Sequence, residues 1–229
     1  MSTFLELCQQ LHSDTGTAGV LATTVDQTGQ LKRIVDYIVK ANRKIQRRKA
    51  NWKFLWAEWE YTIVVDTSEF SPPDGIGSFD QTSFWVDVGT DDARKLNWID
   101  HKEWREVYQN EYTESDESSF VTIKPNGRLA ILPIPDSDTA GSVVTCDYWR
   151  APVDLSGDTY ISLIPEQFHD AIVSLAKMYF AEKKHDTGLY NSAFIEHESI
   201  YSELKAYSLP GQEEERKSEA SISRAIEVI

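Results

Sequence analysis

The stretch QLKRIVDYIVKANRKIQRRK, residues 30–49, decides the fold class of the first half of the chain. Its apolar residues recur every three or four positions, which predicts an amphipathic helix over residues 30–48. The stretch also holds eight basic side chains against one carboxylate, Asp36, a net charge of +7 in a protein whose net charge is −14. This asymmetry favours docking or self-association, in which the basic face of one copy meets an acidic surface of another.

Three further helices are predicted around this one. Thr3 and Glu6 form a capping-box pattern that opens a helix over residues 2–12. In the second half, Pro165 is a typical first-turn residue, and apolar residues at helical spacing follow it. They predict helices over residues 165–184 and 189–207.

The hydrophobic pattern changes between these helix pairs, where alternating and β-branched runs replace the helical period. Pro125, Asn126 and Gly127 separate two apolar runs, which is a hairpin signal. The predicted strands cover residues 60–65, 83–88, 120–123, 128–132 and 142–149. A short helix is predicted at 98–112, within the same region.

The resulting prediction is an α+β fold. Residues 1–50 and 151–207 are expected to form a four-helix bundle, because helices that flank an insertion most simply pack together. An antiparallel β-rich module is expected to be inserted at residues 51–150. A C-terminal extended tail follows at 208–229.

The tail carries a narrow apolar stripe at i, i+3, i+4 and i+7, which consists of Ile222, Ala225, Ile226 and Ile229. Two helical turns are too short to be stable alone in water, so the stripe needs a partner surface. We therefore predict that it is an arm that docks on a partner protein or a neighbouring subunit. A frayed terminus with incidental isoleucines is the alternative.

A second candidate surface is the basic face of the helix over 30–48. It is predicted to contact an acidic neighbouring subunit or the phosphates of DNA through Lys40, Arg43, Lys44, Arg47 and Arg48. A merely solvated helix face is the alternative.

Motifs for catalysis or cofactor binding are missing from the sequence. The five histidines show no i,i+4 pairing, and Cys8 and Cys146 lie far apart, which predicts two free thiols and no metal site. No serine-hydrolase elbow or dinucleotide fingerprint occurs. We expect no catalytic residue, no cofactor and no membrane-spanning segment.

Six segments carry, in chain order, a resemblance to a known family: MSTFLELCQQL (1–11), TGQLKRIVDYI (28–38), NWKFLW (51–56), LPIPD (132–136), CDYWRAPVDL (146–155) and IPEQFHDAI (164–172). Together they resemble the head-to-tail adaptor proteins of tailed bacteriophages, also called connector or head-completion proteins. The resemblance spans residues 1 to about 207.

The resemblance implies a structural virion protein without catalytic residues. Such proteins form a ring, expected here to have twelve copies, beneath the portal protein. The tail stripe is then expected to dock on the portal protein or a neighbouring subunit, and the basic face to line an inter-subunit or portal contact or to face the DNA channel. The ring extends the DNA channel and offers an attachment surface to tail or nozzle proteins, while genomic DNA passes without sequence-specific binding. The expected location is the head–tail interface of the virion, and the host cytoplasm during assembly.

Two alternatives from other classes stay open at this point. A phage cell-wall-degrading enzyme would need two carboxylates flanking a cleft. A carbohydrate-binding module would present exposed tryptophans in a row on one sheet face, and all seven tryptophans lie between Trp52 and Trp149.

Overall fold

The computed structural model describes residues 2–108 and 120–209, and within them the chain is a mixed α/β protein with two sheets. The chain divides into two compact units: a helical unit from Met1–Leu55 with Pro152–Ile229, and a β unit from Trp56–Ala151. The α-helices of the described residues are α1 (Phe4–Asp14), α2 (Gly29–Arg47), α3 (His101–Glu103), α4 (Asp170–Lys184) and α5 (Thr187–Ser208).

Helix α1 begins at the capping box that the sequence predicts. The Glu6 backbone N–H donates to the Thr3 hydroxyl at 3.3 Å, and the Thr3 N–H donates to the Glu6 carboxylate at 2.8 Å. These two bonds satisfy backbone donors that have no partner inside the helix. The helix buries one apolar face, formed by Phe4, Leu7, Cys8 and Leu11.

Helix α4 lies at the centre of the helical unit, because α1, α2 and α5 all contact it. It is buried continuously from Ala171 to Ala176. Helix α2 packs its apolar stripe inward, and Ile34, Ile38, Ala41 and Ile45 are fully buried. Trp52, which the sequence analysis assigned to the β module, is also buried in this unit and packs on Tyr201 of α5.

Two polar residues of α2, Asn42 and Gln46, are also buried. Both side-chain amides donate to the backbone carbonyl of Val153 at 3.1 Å, and the Val153 N–H donates to the Gln46 oxygen at 2.9 Å. The Asn42 oxygen accepts a hydrogen bond from Ser162 at 2.7 Å. The chain is thus attached to α2 where it re-enters the helical unit.

The β unit contains nine strands in its described residues: β1 (Trp56–Thr62), β2 (Glu69–Phe70), β3 (Ile76–Phe79), β4 (Trp85–Val86), β5 (Arg94–Lys95), β6 (Asn97–Trp98), β7 (Phe120–Ile123), β8 (Leu129–Leu132) and β9 (Val143–Arg150). In the first sheet β9 pairs with β1 along one edge and with β3 and β4 along the other, and β5 follows β4. The second sheet has the order β2-β8-β7-β6.

Both sheets contribute to one core of the β unit. Val86, Val144 and Cys146 come from the first sheet, whereas Val121 and Ile131 come from the second. Trp59 and Tyr61 of β1 pack against this core from the same face of their strand. The period-two alternation of β1 and β9 therefore leaves their other face outside the core.

The sheets are not entirely antiparallel, which differs from the prediction. Strand β6 pairs with β7 in parallel, with Asn97 opposite Phe120. A parallel pair requires a long crossover connection, and residues 99–119 separate the two strands in sequence. Of the helix predicted over 98–112, Trp98 belongs to β6, α3 begins at His101, and a π-helical turn follows at Trp104–Tyr108. Residues 109–112 lie outside the described residues.

Replacement of Gln46 by alanine should destabilise the protein. The Val153 N–H would lose its hydrogen-bond partner, and an unsatisfied buried donor costs about 1–3 kcal/mol. Urea denaturation at pH 7 measures the change. Gln30→Ala, in the exposed first turn of the same helix, should change the free energy of unfolding by less than about 0.5 kcal/mol. Equal effects of the two substitutions would contradict a structural role for the Gln46 amide.

Candidate functional site

The five predicted basic residues of α2 and its C-cap fall into two groups: three make a hydrogen bond or ring contact within the helical unit, and two make neither. Lys40 Nζ lies 3.9 Å from the centroid of the Tyr179 ring. Lys44 and Arg47 are exposed and make no hydrogen bond or ion pair with any other described residue.

Arg43 forms an ion pair with Asp154, next to the Val153 attachment point. Its Nε donates to Asp154 Oδ1 at 2.6 Å, and a second bond joins its Nη2 to Oδ2, so the contact is bidentate. The hydrogen bond from Arg43 lowers the pKa of Asp154, and the nearby charge of Arg47 contributes in the same direction. Arg43 therefore has an intramolecular role before any partner binds.

Arg48 contacts the buried His197 of α5. Its Nη1 lies 3.3 Å from His197 Nε2, and its guanidinium lies 4.4 Å from the centroid of Tyr201. Because arginine can only donate, Nε2 must accept, and the ring proton resides on Nδ1, which donates to the Ala171 carbonyl at 3.1 Å. Burial lowers the pKa of His197, and the positive charge of Arg48 lowers it further.

The second predicted site lies outside the described residues. It comprises the tail residues Ile222, Ala225, Ile226 and Ile229. The docking arm therefore stays a prediction, as does the assignment of the α2 basic face to a subunit, portal or channel contact.

The β unit carries a surface that was not predicted from the sequence, on the outward side of its first sheet. The side chains of Trp56, Glu58 and Glu60 occupy the face of β1 that points away from the core. Trp56 is 52% exposed to solvent, and Trp85 of β4 is 39% exposed. The alternation WAEWEYT over residues 56–62 indicates which side chains share this face, but the predicted strand begins only at Glu60.

The cavities among the described residues are partly open to solvent. One of about 420 Å³ lies at the loop around Asp87, Asp91 and Asp92, within the roughly 300–1,000 Å³ of typical small-molecule sites. One of about 190 Å³, below that range, is lined by Glu58, Trp85 and other residues of the first sheet. Within the described ranges no three His, Cys, Asp or Glu side chains are placed to hold a metal ion.

Three of the seven tryptophans share the outward face of the first sheet. Trp56 and Trp85 are exposed there, and the half-buried Trp149 is opposite Trp56, whereas Trp52 and Trp104 are buried elsewhere. The carboxylates of Glu58 and Asp147 lie between the rings of Trp56 and Trp85 on the sheet.

Both cysteines are free and buried, as the sequence predicts. Burial raises the pKa of the Cys146 thiol to about 12 and raises that of Cys8 as well. Thiols that stay protonated at neutral pH are poor nucleophiles and poor metal ligands. None of the helices in the described ranges is long and apolar enough to span a bilayer.

The chain belongs to the SU10 adaptor protein family, whose model matches residues 2–224. Members of this family are structural adaptor proteins of bacteriophages rather than enzymes, and the chain is thus a structural component of the phage particle. No curated protein matches the chain.

The neutral His197 should make stability depend on pH. The pKa of His197 in the folded protein lies below its unfolded value near 6.5, so the unfolded chain binds the proton more tightly. The contribution of the neutral imidazole to the free energy of unfolding is therefore complete above pH 6.5 and declines as the pH falls. The free energy of unfolding should fall between pH 7 and 5, with a slope from this group of at most about 1.4 kcal/mol per pH unit.

Urea denaturation across that pH range measures the slope, and His197→Gln should reduce it. His169, whose pKa burial also lowers, should supply the remaining dependence. His185→Asn is the control, since His185 is exposed and asparagine tolerates its left-handed backbone. An unchanged slope in His197→Gln would contradict the neutral buried imidazole.

Proposed function

We propose that the chain is the head-to-tail adaptor of its phage. In this proposal twelve copies form a ring beneath the portal protein and extend the DNA channel. The ring offers its far side to tail or nozzle proteins. The α1, α2, α4 and α5 helices act as one four-helix bundle, and the β unit is the module inserted between its halves. Assembly takes place in the host cytoplasm.

The observation that carries the proposal is the family match over residues 2–224, which covers both units and the first part of the tail. The charge distribution supports it. A protein of net charge −14 is a poor general binder of DNA, which suits a channel wall that DNA must slide past. The unpaired Lys44 and Arg47 are then available for a protein contact.

The proposal assigns the apolar stripe of the tail to attachment. Burial of three isoleucines contributes about 1.5–3 kcal/mol each, whereas ordering the arm costs roughly 1–2 kcal/mol per residue. A single arm therefore binds weakly. Twelve arms on one ring bind together, because each attached arm raises the effective concentration of the next.

Removal of residues 209–229 should abolish stable attachment to portal rings and leave the rest of the chain folded. We expect the full-length protein to co-sediment with purified portal rings encoded by the same phage genome, and the truncated protein to stay in the supernatant with an unchanged melting temperature. A full-length variant with Ile222, Ile226 and Ile229 replaced by serine keeps the length of the tail but removes its apolar side chains. If the stripe itself binds the portal, this variant should also fail to attach.

Two outcomes would contradict different parts of this proposal. If the truncated chain co-sediments at the level of the full-length chain, the docking arm is wrong. If the full-length chain itself fails to bind portal rings, the adaptor assignment is wrong.

A further inference from the structure

The outer face of the first sheet combines exposed aromatic rings with carboxylates. This outer face consists of the side chains of Trp56, Glu58 and Glu60 on β1, Asp147 on β9 and Trp85 on β4. The strand register places Glu58 opposite Asp147 and Trp85 beside Thr145, which in turn lies opposite Glu60. The carboxylates are therefore flanked by the two exposed indoles.

The outer face concentrates carboxylates. Glu58 and Asp147 are directly opposite on paired strands. Desolvation raises the pKa of Asp147 and the charge of Asp80 raises it further, whereas a hydrogen bond from Trp56 lowers it. Within the described residues no ion pair neutralises Glu58, Glu60 or Asp147.

The outer face has one cation at its edge, because the exposed Lys95 of β5 is opposite Trp85. It lies three strands away from Glu58 and Glu60 and forms no ion pair with them. The exposed Lys44 and Arg47 of α2 match that carboxylate pair better in spacing. They lie on one side of the helix at i and i+3, with side chains about 5–6 Å apart, whereas Glu58 and Glu60 lie on one side of a strand at i and i+2, about 6.5–7 Å apart. Neither pair forms an ion pair within the described residues.

We propose that the outer face of one copy binds the Lys44–Arg47 surface of the next copy in the ring. Lys44 and Arg47 pair with Glu58 and Glu60, and the indoles of Trp56 and Trp85 pack against the cationic side chains. The contact joins two different surfaces, and such a heterologous interface can close into a ring. This inference rests on the proposed adaptor function and specifies its subunit interface.

Charge complementarity selects a second copy over the other occupants. A sugar would use the indoles but would leave the carboxylate pair and the α2 cations unneutralised. DNA would be repelled by the outer face. In a closed ring of identical copies, the acidic outer face and the Lys44–Arg47 surface of every subunit would each contact a surface of opposite charge.

The test uses two full-length variants with opposite changes. One carries Lys44→Glu with Arg47→Glu, so both of its surfaces are acidic. The other carries Glu58→Lys with Glu60→Lys, so both of its surfaces are basic. With purified portal rings at limiting adaptor concentration, native mass spectrometry should show at least a tenfold lower adaptor occupancy for each variant alone. An equimolar mixture should regain wild-type occupancy, because the two variants can alternate around the ring.

Matched controls make the same charge changes elsewhere: Lys183→Glu with Lys184→Glu in the exposed end of α4, and Asp91→Lys with Asp92→Lys in a loop of the β unit. These should assemble like the wild type, and circular dichroism melting should show all variants folded. Restoration by mixing supports the interface. Wild-type occupancy of each variant alone, or a mixture that stays at low occupancy, overturns it. Under either of these two overturning outcomes, only the proposed interface is wrong, and the adaptor function still holds as long as the wild-type protein binds portal rings.

Discussion

The attachment of Val153 to α2 is the constraint on which the rest of the helical unit depends. The chain leaves this unit after Leu55 and re-enters it at Pro152. At that point the amides of Asn42 and Gln46 bind both backbone groups of Val153, and Arg43 binds the next side chain, Asp154. Closing a long loop costs only slightly more entropy than closing a short one. A few directional bonds are therefore enough to bring α4 and α5 against helices from the other end of the sequence.

Helix α2 serves this attachment and two other purposes at once. Its apolar stripe packs on α4, its amide edge binds the re-entering chain, and its third side faces solvent. The basic residues of the predicted docking face also serve different purposes. Arg43 and Arg48 act within the unit, on Asp154 and His197, and Lys40 lies over the Tyr179 ring, whereas Lys44 and Arg47 stay exposed. Part of the positive charge on this helix therefore supports the fold, and part of it remains at the surface.

The sequence predicted the helices well, because caps and period are local signals: α1 starts at its capping box, and α2 and α5 deviate by one or two residues. The two-residue strands β2, β5 and β6 were not predictable, since they exist only through pairing with distant strands. The outer face was missed for the same reason. Alternation shows which side chains share a face of β1, but the pairing of Glu58 with Asp147 requires a register between segments far apart in sequence.

The two buried thiols give the chain a practical property. With a pKa near 12, a thiol at pH 7 is deprotonated in only about one molecule in 10⁵, and burial shields it from reagents in solution. The native protein is therefore almost silent toward maleimides and other thiol-directed dyes. A single cysteine introduced on the surface would carry a fluorophore or spin label with little background, and neither natural cysteine would need to be removed first.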